Sequence, residues 1–293
     1  MDGIININKP KGFTSHDVVA KLRGILKTKK IGHTGTLDPD AVGVLPVCVG
    51  CGTKVADMLT ATEKEYLAEV TLGSKTDTQD ASGTVIAAAE VKICKEDILR
   101  VTKEFVGESE QIPPMYSAIK QDGKKLYELA RAGIEVERKP RPITIHEIEV
   151  LDIDLSSKKF SIRVACSKGT YIRTLCQDIG DALGCYAHMS ALTRTQSGQF
   201  YLADSITLEE VERRAGEKDY SFLKPVDSVF HDLKPLYLSE RKAQLVCNGV
   251  QVRTPGLQEG TSYRVYNEKG NFLTVSLAEN GMLKIQKTFF QGR

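Results

Sequence analysis

The 293-residue sequence predicts an α+β protein with a large mixed domain followed by a small β-rich one. Two observations carry this. Strict alternation of apolar and polar residues over Tyr66–Leu72 and again over Phe160–Cys166 marks half-buried strands, and both lie among segments with a helical apolar stripe. After about residue 232 the texture changes to short strands and Gly-containing turns. The length suits one large or two unequal domains with a real core.

The elements follow in order. Ile4–Ile7 is a short apolar strand that ends at the turn Asn8-Lys9-Pro10-Lys11-Gly12. Thr14 and Ser15 cap a helix, with Asp17 placed three residues after Thr14 as in a capping box. Its stripe is Val18, Leu22, Ile25 and Leu26, and Lys27, Lys29 and Lys30 follow its end, where cations suit the dipole. A glycine-rich turn over 32–43 then leads into an apolar strand. The polar loop 73–83 follows the first alternating strand, and residues 94–106 read as a helix with Ile98, Val101 and Phe105 in a row. Ser167–Thr170 turns the second alternating strand into a helix with the stripe Ile172, Leu175, Ile179 and Leu183, closed by Gly184. In the tail, Lys269-Gly270 is a hairpin tip.

The most informative segment is Gly32-His33-Thr34-Gly35-Thr36-Leu37-Asp38-Pro39, followed by the apolar run that includes Val44-Leu45-Pro46-Val47-Cys48-Val49. Pro39 biases Asp38 away from the α region. The glycines let the backbone turn tightly or approach a ligand. A carboxylate on a stiff loop at the edge of a core suits a catalytic acid. An Asp-Pro turn entering a buried strand gives the same local pattern without chemistry. Arg173 falls in the first turn of its helix, where the dipole favours anions. A nearby negative group would explain it, and so would plain surface exposure.

Net charge is +2, but the basic residues are clustered. Residues 1–33 carry seven Lys/Arg against two acids, and residues 116–141 carry seven against four. Two basic segments on a near-neutral chain fit a polyanion grip; either alone also reads as solvated surface. Seven scattered cysteines, no apolar leader and no membrane-length apolar window imply a reduced, cytoplasmic protein. Cys48-Val-Gly-Cys51 stands alone in an apolar run and reads as packing rather than as a metal or redox site. The five histidines have no metal spacing, and neither a P-loop, a dinucleotide fingerprint nor a nucleophile elbow is present. No metal is expected.

Five motifs together make the chain resemble the TruB family of tRNA pseudouridine-55 synthases over nearly its whole length. They are Asn8-Lys9-Pro10 with Gly12; the 32–39 block with Gly43 to Pro46; Lys64 to Gly73 with Thr76-Asp77-Thr78-Gln79-Asp80; Gln111 to Lys120; and Gly169 to Leu175 with Asp178-Ile179-Gly180. The position after Gly35, often alanine in the family, is Thr36. The resemblance implies the pseudouridine synthase fold, a large mixed and mostly antiparallel sheet flanked by helices with a cleft across it. It implies an isomerase that converts uridine 55 in the tRNA T-loop to pseudouridine on a flipped-out base, with no cofactor.

Asp38 matches the family's essential carboxylate and Arg173 its arginine partner. Tyr66 matches the aromatic that packs on the target base, and Tyr171 and Leu192 match further pocket positions. His33 matches the histidine that helps hold the T-loop. Lys9, Lys54 and Asp80 sit in matched motifs and are carried over as substrate-binding. The resemblance assigns 1–232 to the catalytic domain and 233–293 to a PUA-like RNA-binding domain. The basic segment of about 111–142 corresponds to an insertion that clamps the T-loop. Related dyskerin-type enzymes lack it, so a stand-alone monomer on the tRNA T-arm, without guide RNA, membrane or obligate protein partner, is expected. The competing functions are an RNA N-glycosidase, a guide-directed rRNA enzyme and an RNA-binding, tRNA-folding protein without catalysis. Glycoside hydrolysis usually wants two placed carboxylates, and only Asp38 has such a setting.

Overall fold

The computed structural model describes residues 1–121 and 123–290. Asp122, inside the basic segment, and residues 291–293, at the end of the expected second domain, lie outside the described residues.

The chain opens with strand β1 (Gly3–Lys9), helix α1 (Ser15–Leu26), β2 (Ile31–His33) and β3 (Val42–Val49). The α1 capping box forms as the sequence predicts: Thr14 Oγ1 accepts from Asp17 N at 3.1 Å, and Asp17 Oδ2 accepts from Thr14 N at 2.8 Å. Helix α2 (Ala56–Thr60) leads to β4 (Lys64–Leu72), the short hairpin β5 (Ser74–Thr76) and β6 (Val85–Ala88), α3 (Lys95–Glu104) and β7 (Gly107–Gln111). The loop expected at 73–83 therefore contains a three-residue strand. The basic segment folds as β8 (Lys120–Gln121), β9 (Lys124–Lys125) and α4 (Leu126–Arg131). The long β10 (Arg141–Asp154), β11 (Lys159–Cys166), α5 (Ile172–Ala182), β12 (Ala187–Ser197), β13 (Phe200–Tyr201) and α6 (Leu208–Gly216) follow.

Among the described residues nine strands form one sheet, ordered β1-β3-β12-β4-β11-β10-β7, with β2 on β3 and β13 on β12. Every pairing is antiparallel except β3 with β12. This is the mixed, mostly antiparallel sheet that the family resemblance implies.

The two halves of the sheet explain the two kinds of sequence pattern. β1 and β3 are buried almost throughout because both faces are covered. Ile5, Ile7, Leu45 and Val47 pack with Val18 and Leu22 of α1 and Leu208 of α6. Ile4, Val44 and Cys48 point into a second cluster with Phe200, Val226 and Phe230. β4 and β11 alternate because one face meets α3 and α5 while the other meets water. Val70, Ile162 and Val164 are fully buried against Ile98, Leu175 and Ile179. Each such side chain contributes about 1.5–3 kcal/mol. The opposite face carries Arg163 paired with Glu65, Glu147 and Glu149. Such half-exposed pairs contribute about 0–1 kcal/mol each, so the apolar face decides the register.

The tail forms β14 (Lys234–Leu238), α7 (Glu240–Cys247), β15 (Val252–Arg253), β16 (Ser262–Asn267), β17 (Phe272–Glu279) and β18 (Met282–Thr288). They make a five-stranded sheet ordered β14-β16-β17-β18-β15, with α7 packed on it. The turn between β16 and β17 holds Gly270 at φ 79°, the expected hairpin tip. Val275 and Phe289 of this tail share a core with Ile4, Val44 and Phe200. Tyr266 Oη donates to Asp227 Oδ2 at 2.6 Å across the same seam. The seam is an apolar core, not a loose linker. Cys48 and Cys51 lie in it as free thiols, pushed by burial up to about 12 and about 11.

Candidate active site

Asp38 lies on the turn between β2 and β3, and the sequence around it explains its rigidity. Its neighbours Leu37 and Ala41 are buried in the same cluster as Tyr66. Thr34, wholly buried, donates N–H and Oγ1 to Pro46 O at 3.0 and 3.1 Å. Leu37 N donates to Ser15 Oγ at 2.9 Å, and Gly12 N donates to Pro39 O at 2.9 Å. Gly35 and Gly43 have φ of 112° and 101°, a region open to glycine. At Gly43 an added Cβ would stand 2.3 Å from Arg194 O, so no side chain fits there.

Arg173 holds the carboxylate in a fork. Its Nε is 3.0 Å from Asp38 Oδ2 and its Nη2 donates to Asp38 Oδ1 at 3.2 Å. The same guanidinium donates to Thr78 O at 3.2 Å and Tyr116 O at 2.9 Å, and Nη1 stands 3.8 Å from Asp80 Oδ2. Arg173 is 5% exposed, so surface exposure does not account for it. The negative group beside the helix start is Asp38. Withdrawal from water pushes the Asp38 carboxyl above the usual carboxylate range, Arg173 opposes this, and Asp80 adds to the rise. Even so, 36% of the Asp38 side-chain surface is open, enough for a ligand to reach it.

The sheet supplies the pocket's apolar surface. Tyr66 on β4 and Leu192 on β12 are 9% and 8% exposed and share a core cluster. Ala68 pairs with Leu192 and Tyr66 with Arg194, so the two side chains are diagonal neighbours across the strands. Tyr171 caps α5. Its peptide is clamped by the Gln111 side chain, which donates to Tyr171 O at 3.1 Å and accepts from Tyr171 N at 2.8 Å. Gln111 and Tyr116 thus tie the root of the basic segment to the residues around Asp38. Arg141 pairs with Gln111 across β10 and β7, so the segment leaves and rejoins the sheet at one point.

Asp80 organises its own turn. Its Oδ1 accepts from Thr78 Oγ1 at 2.7 Å and Ser82 N at 3.0 Å, while Oδ2 faces Arg173. His33 stacks edge-on against His16 with ring centroids 5.1 Å apart, and its Nδ1 is buried without a partner. Burial, with His16 and Arg194 adding positive charge, pushes His33 down to about 4. It is therefore neutral near pH 7 and offers hydrogen bonding rather than charge. Its lowered pKa means that the unfolded chain binds the proton more readily. Stability is expected to fall as pH drops from about 6.5 towards 4, and His33→Gln is expected to reduce that loss. Thermal melts of both proteins at pH 7, 5.5 and 4 measure this, and identical pH dependence would contradict it.

Two expected contacts need correction. Lys9 is 0% exposed, and its Nζ donates to the carbonyls of Pro10 and Pro39 at 3.0 Å. Burial lowers it to about 8. It pins the Asp38 turn to the first strand and has no surface to offer RNA. Lys54 is engaged elsewhere: its Nζ donates to Thr288 O at 2.8 Å and joins the segment after β3 to the last strand. Motif membership placed both residues, but it does not separate a scaffold lysine from a phosphate ligand. The sequence reading also missed Arg194, which is 1% exposed beneath the Asp38 loop. Its signal was an arginine on β12 at the same parity as Leu192, an inward position where an apolar residue is the norm.

A single arginine-paired carboxylate, an aromatic and a leucine on the sheet face, and a basic arm rooted at the rim define a class: enzymes that act on one flat ring of a large anionic ligand. The comparisons agree. Residues 23–172 match the model of the TruB family pseudouridylate synthase N-terminal domain, and residues 173–231 match that of the tRNA pseudouridylate synthase B C-terminal domain. The chain is 52% identical over 267 residues to tRNA pseudouridine synthase B of Geobacillus thermodenitrificans, covering 88% of each. It is 45% identical to the Clostridium kluyveri protein of the same name, over 99% of this chain and 100% of that one. A solved Cbf5-Nop10-Gar1 complex matches with a TM-score of 0.72 and 29% identity, over 98% of this chain and 85% of that one. An H/ACA RNP bound to a substrate RNA matches with a TM-score of 0.70 and 28% identity, over 99% of this chain and 85% of that one. The fold is the pseudouridine synthase fold, and the chain belongs to the TruB family of pseudouridylate synthases.

Proposed function

We propose that the protein isomerises uridine 55 of the tRNA T-loop to pseudouridine, with Asp38 as the essential carboxylate. The N1–C1′ bond of the nucleotide breaks, the base turns, and C5 joins C1′; the proton on C5 leaves and N1 gains one. The observation that carries this reading is the Asp38–Arg173 fork, on a turn whose Leu37 and Ala41 share a core cluster with Tyr66 and Leu192. A protein that only bound or folded RNA would have no use for a carboxylate kept in the cleft, where it repels phosphate. Tyr66 supplies a stacking face of the kind worth roughly 1–3 kcal/mol per base, which offsets much of the few kcal/mol needed to flip a base. His33, Tyr171 and Asp80 complete the pocket around the rearranged loop.

The relatives that match over the full chain are named as tRNA enzymes, whereas two structural neighbours are a Cbf5-Nop10-Gar1 complex and an H/ACA RNP bound to a substrate RNA. The basic arm favours stand-alone action on the T-arm, as a monomer without guide RNA. Residues 1–232 form the catalytic domain, and the β-rich residues 233–293 are a PUA-like domain that reaches RNA beyond the target loop. Incubation with a tRNA transcript carrying tritium at uridine C5 tests the function directly, since isomerisation releases tritium to water. Tight binding without release would leave a binding protein instead.

The arm should act by pairing its cations with phosphates. Lys120, Lys124 and Arg131 are exposed on it, and Lys125 and Arg131 both lie over the Tyr127 ring, at 5.3 and 5.5 Å. Replacing Lys120, Lys124, Lys125 and Arg131 by Ala is expected to weaken tRNA binding and flatten its salt dependence. Each phosphate left without its cation takes about 0.7–0.9 from the slope of log K against log salt. Binding measured between 50 and 300 mM salt reads this, and an unchanged slope would remove the arm from the interface.

A further inference from the structure

Arg194 is among the largest side chains in the protein to be withdrawn from water, and the chemistry proposed above gives it no part. It stands on β12 beside Tyr66 on β4 and Gly43 on β3. Its guanidinium bonds backbone: Nε donates to Val44 O at 2.6 Å, and Nη2 donates to Gly35 O at 3.3 Å. These two carbonyls lie on the two stems of the Asp38 turn, one before the carboxylate and one after it. Tyr66 is the partner of Arg194 across β12 and β4, and the guanidinium charge opposes the rise that burial imposes on the phenol. The loop lies close to it, since a Cβ on Gly35 would sit 3.7 Å from Arg194 Nη1.

A buried cation is costly even after its surroundings relax. A leucine at this inward position would pack without that cost. What only a planar, multi-donor group can do is hold separate points in fixed relation at once. The points here are the two stems of the loop that carries Asp38, held from the strand position that pairs with Tyr66. We infer that Arg194 is a positioning residue, which sets the separation and angle between the Asp38 carboxylate and the Tyr66 ring. Its field reaches further, since it also helps to lower His33, Lys9 and Lys64. The inference rests on the proposed isomerase reading.

The test uses the full-length protein and a T-arm stem-loop tritiated at C5. Arg194→Lys keeps the charge but has one nitrogen for the two carbonyls. Arg194→Gln keeps a planar donor without the charge. Both are expected to lower kcat about tenfold or more with KM within about twofold, the signature of lost transition-state geometry. Tyr66→Phe, which removes the hydroxyl of the ring paired with Arg194 across the strands, is expected to lower kcat less. Its effect should vanish in the Arg194→Lys background, because coupled residues are not additive. A wild-type kcat in Arg194→Lys, a loss confined to KM, or strict additivity with Tyr66→Phe would overturn the inference. So would failure of both variants to fold, which would make Arg194 a part of the fold alone. The wild-type enzyme run in parallel separates the two readings: no tritium release from it defeats the function itself, whereas an active wild type with equally active variants defeats only the role of Arg194.

Discussion

Asp38→Asn is expected to bind the T-arm at near wild-type affinity and to release tritium from C5 at least about a thousandfold more slowly. Asparagine matches the carboxylate in size and still offers Arg173 an oxygen. What it lacks is the negative charge, which the chemistry needs beside the sugar and base. The rest of the turn does not depend on that charge. Thr34, Leu37 and Gly12 hold it through backbone and hydroxyl groups, and Lys9 holds it through Pro39 O. Removing one partner of a buried ion pair can cost roughly 3–5 kcal/mol. Here the loss is smaller, because Arg173 keeps Thr78 O and Tyr116 O, with Asp80 at 3.8 Å. A thermal melt should therefore fall by only a few degrees. Near-normal tritium release would remove Asp38 from the chemistry, and parallel loss of binding would point to a fold defect.

What could be read from the sequence divides along physical lines. Strands and helices are legible wherever one face of an element meets water, because burial then writes a period into the residues. β4, β11, α1 and α5 show this, with Tyr66, Ala68, Val70 and Leu72 buried as the alternation requires. The largely apolar runs of β1 and β3 named strands but not what covered them. Only the fold reveals that the tail's Val275 and Phe289 pack there. Asp38 stood out because a lone acid in a glycine-rich turn before a proline is locally odd. Arg173 stood out because a cation at a helix start is electrostatically misplaced, and its fork with Asp38 supplies the reason. Lys9 and Lys54 misled because a lysine's burial depends on carbonyls far away in sequence, Pro39 O for one and Thr288 O for the other. Parity with Leu192 turns Arg194 inward, but what it binds there, like the Gln111 clamp on Tyr171, was unreadable for the same reason. Their partners are backbone atoms, which leave no mark in the residue letters.

Arg173→Lys is expected to lower turnover well over tenfold and to move the acid limb of the pH–rate profile to higher pH. Lysine keeps a positive charge, but its single compact ammonium cannot bridge both Asp38 oxygens while also holding Thr78 O and Tyr116 O. The sign of the pH effect follows from the forces on Asp38. Burial and Asp80 raise its pKa, and Arg173 is the largest force lowering it. Weakening that force leaves the raising ones less opposed, so the carboxyl ionises only at higher pH. Rate should then be lost at acid pH and partly recovered as pH rises. A helix-end arginine on the surface would be nearly neutral for stability. Arg173 is 5% exposed and joins three loops, so the variant should also lose roughly 1–3 kcal/mol. Profiles of kcat/KM against pH for the wild type and the variant, on the same T-arm substrate, measure both the size and the direction. A loss that is the same at every pH would mean that Arg173 acts through geometry alone. A profile superimposable on wild type would mean that the Asp38–Arg173 fork is not the engine of the reaction, whatever its distances.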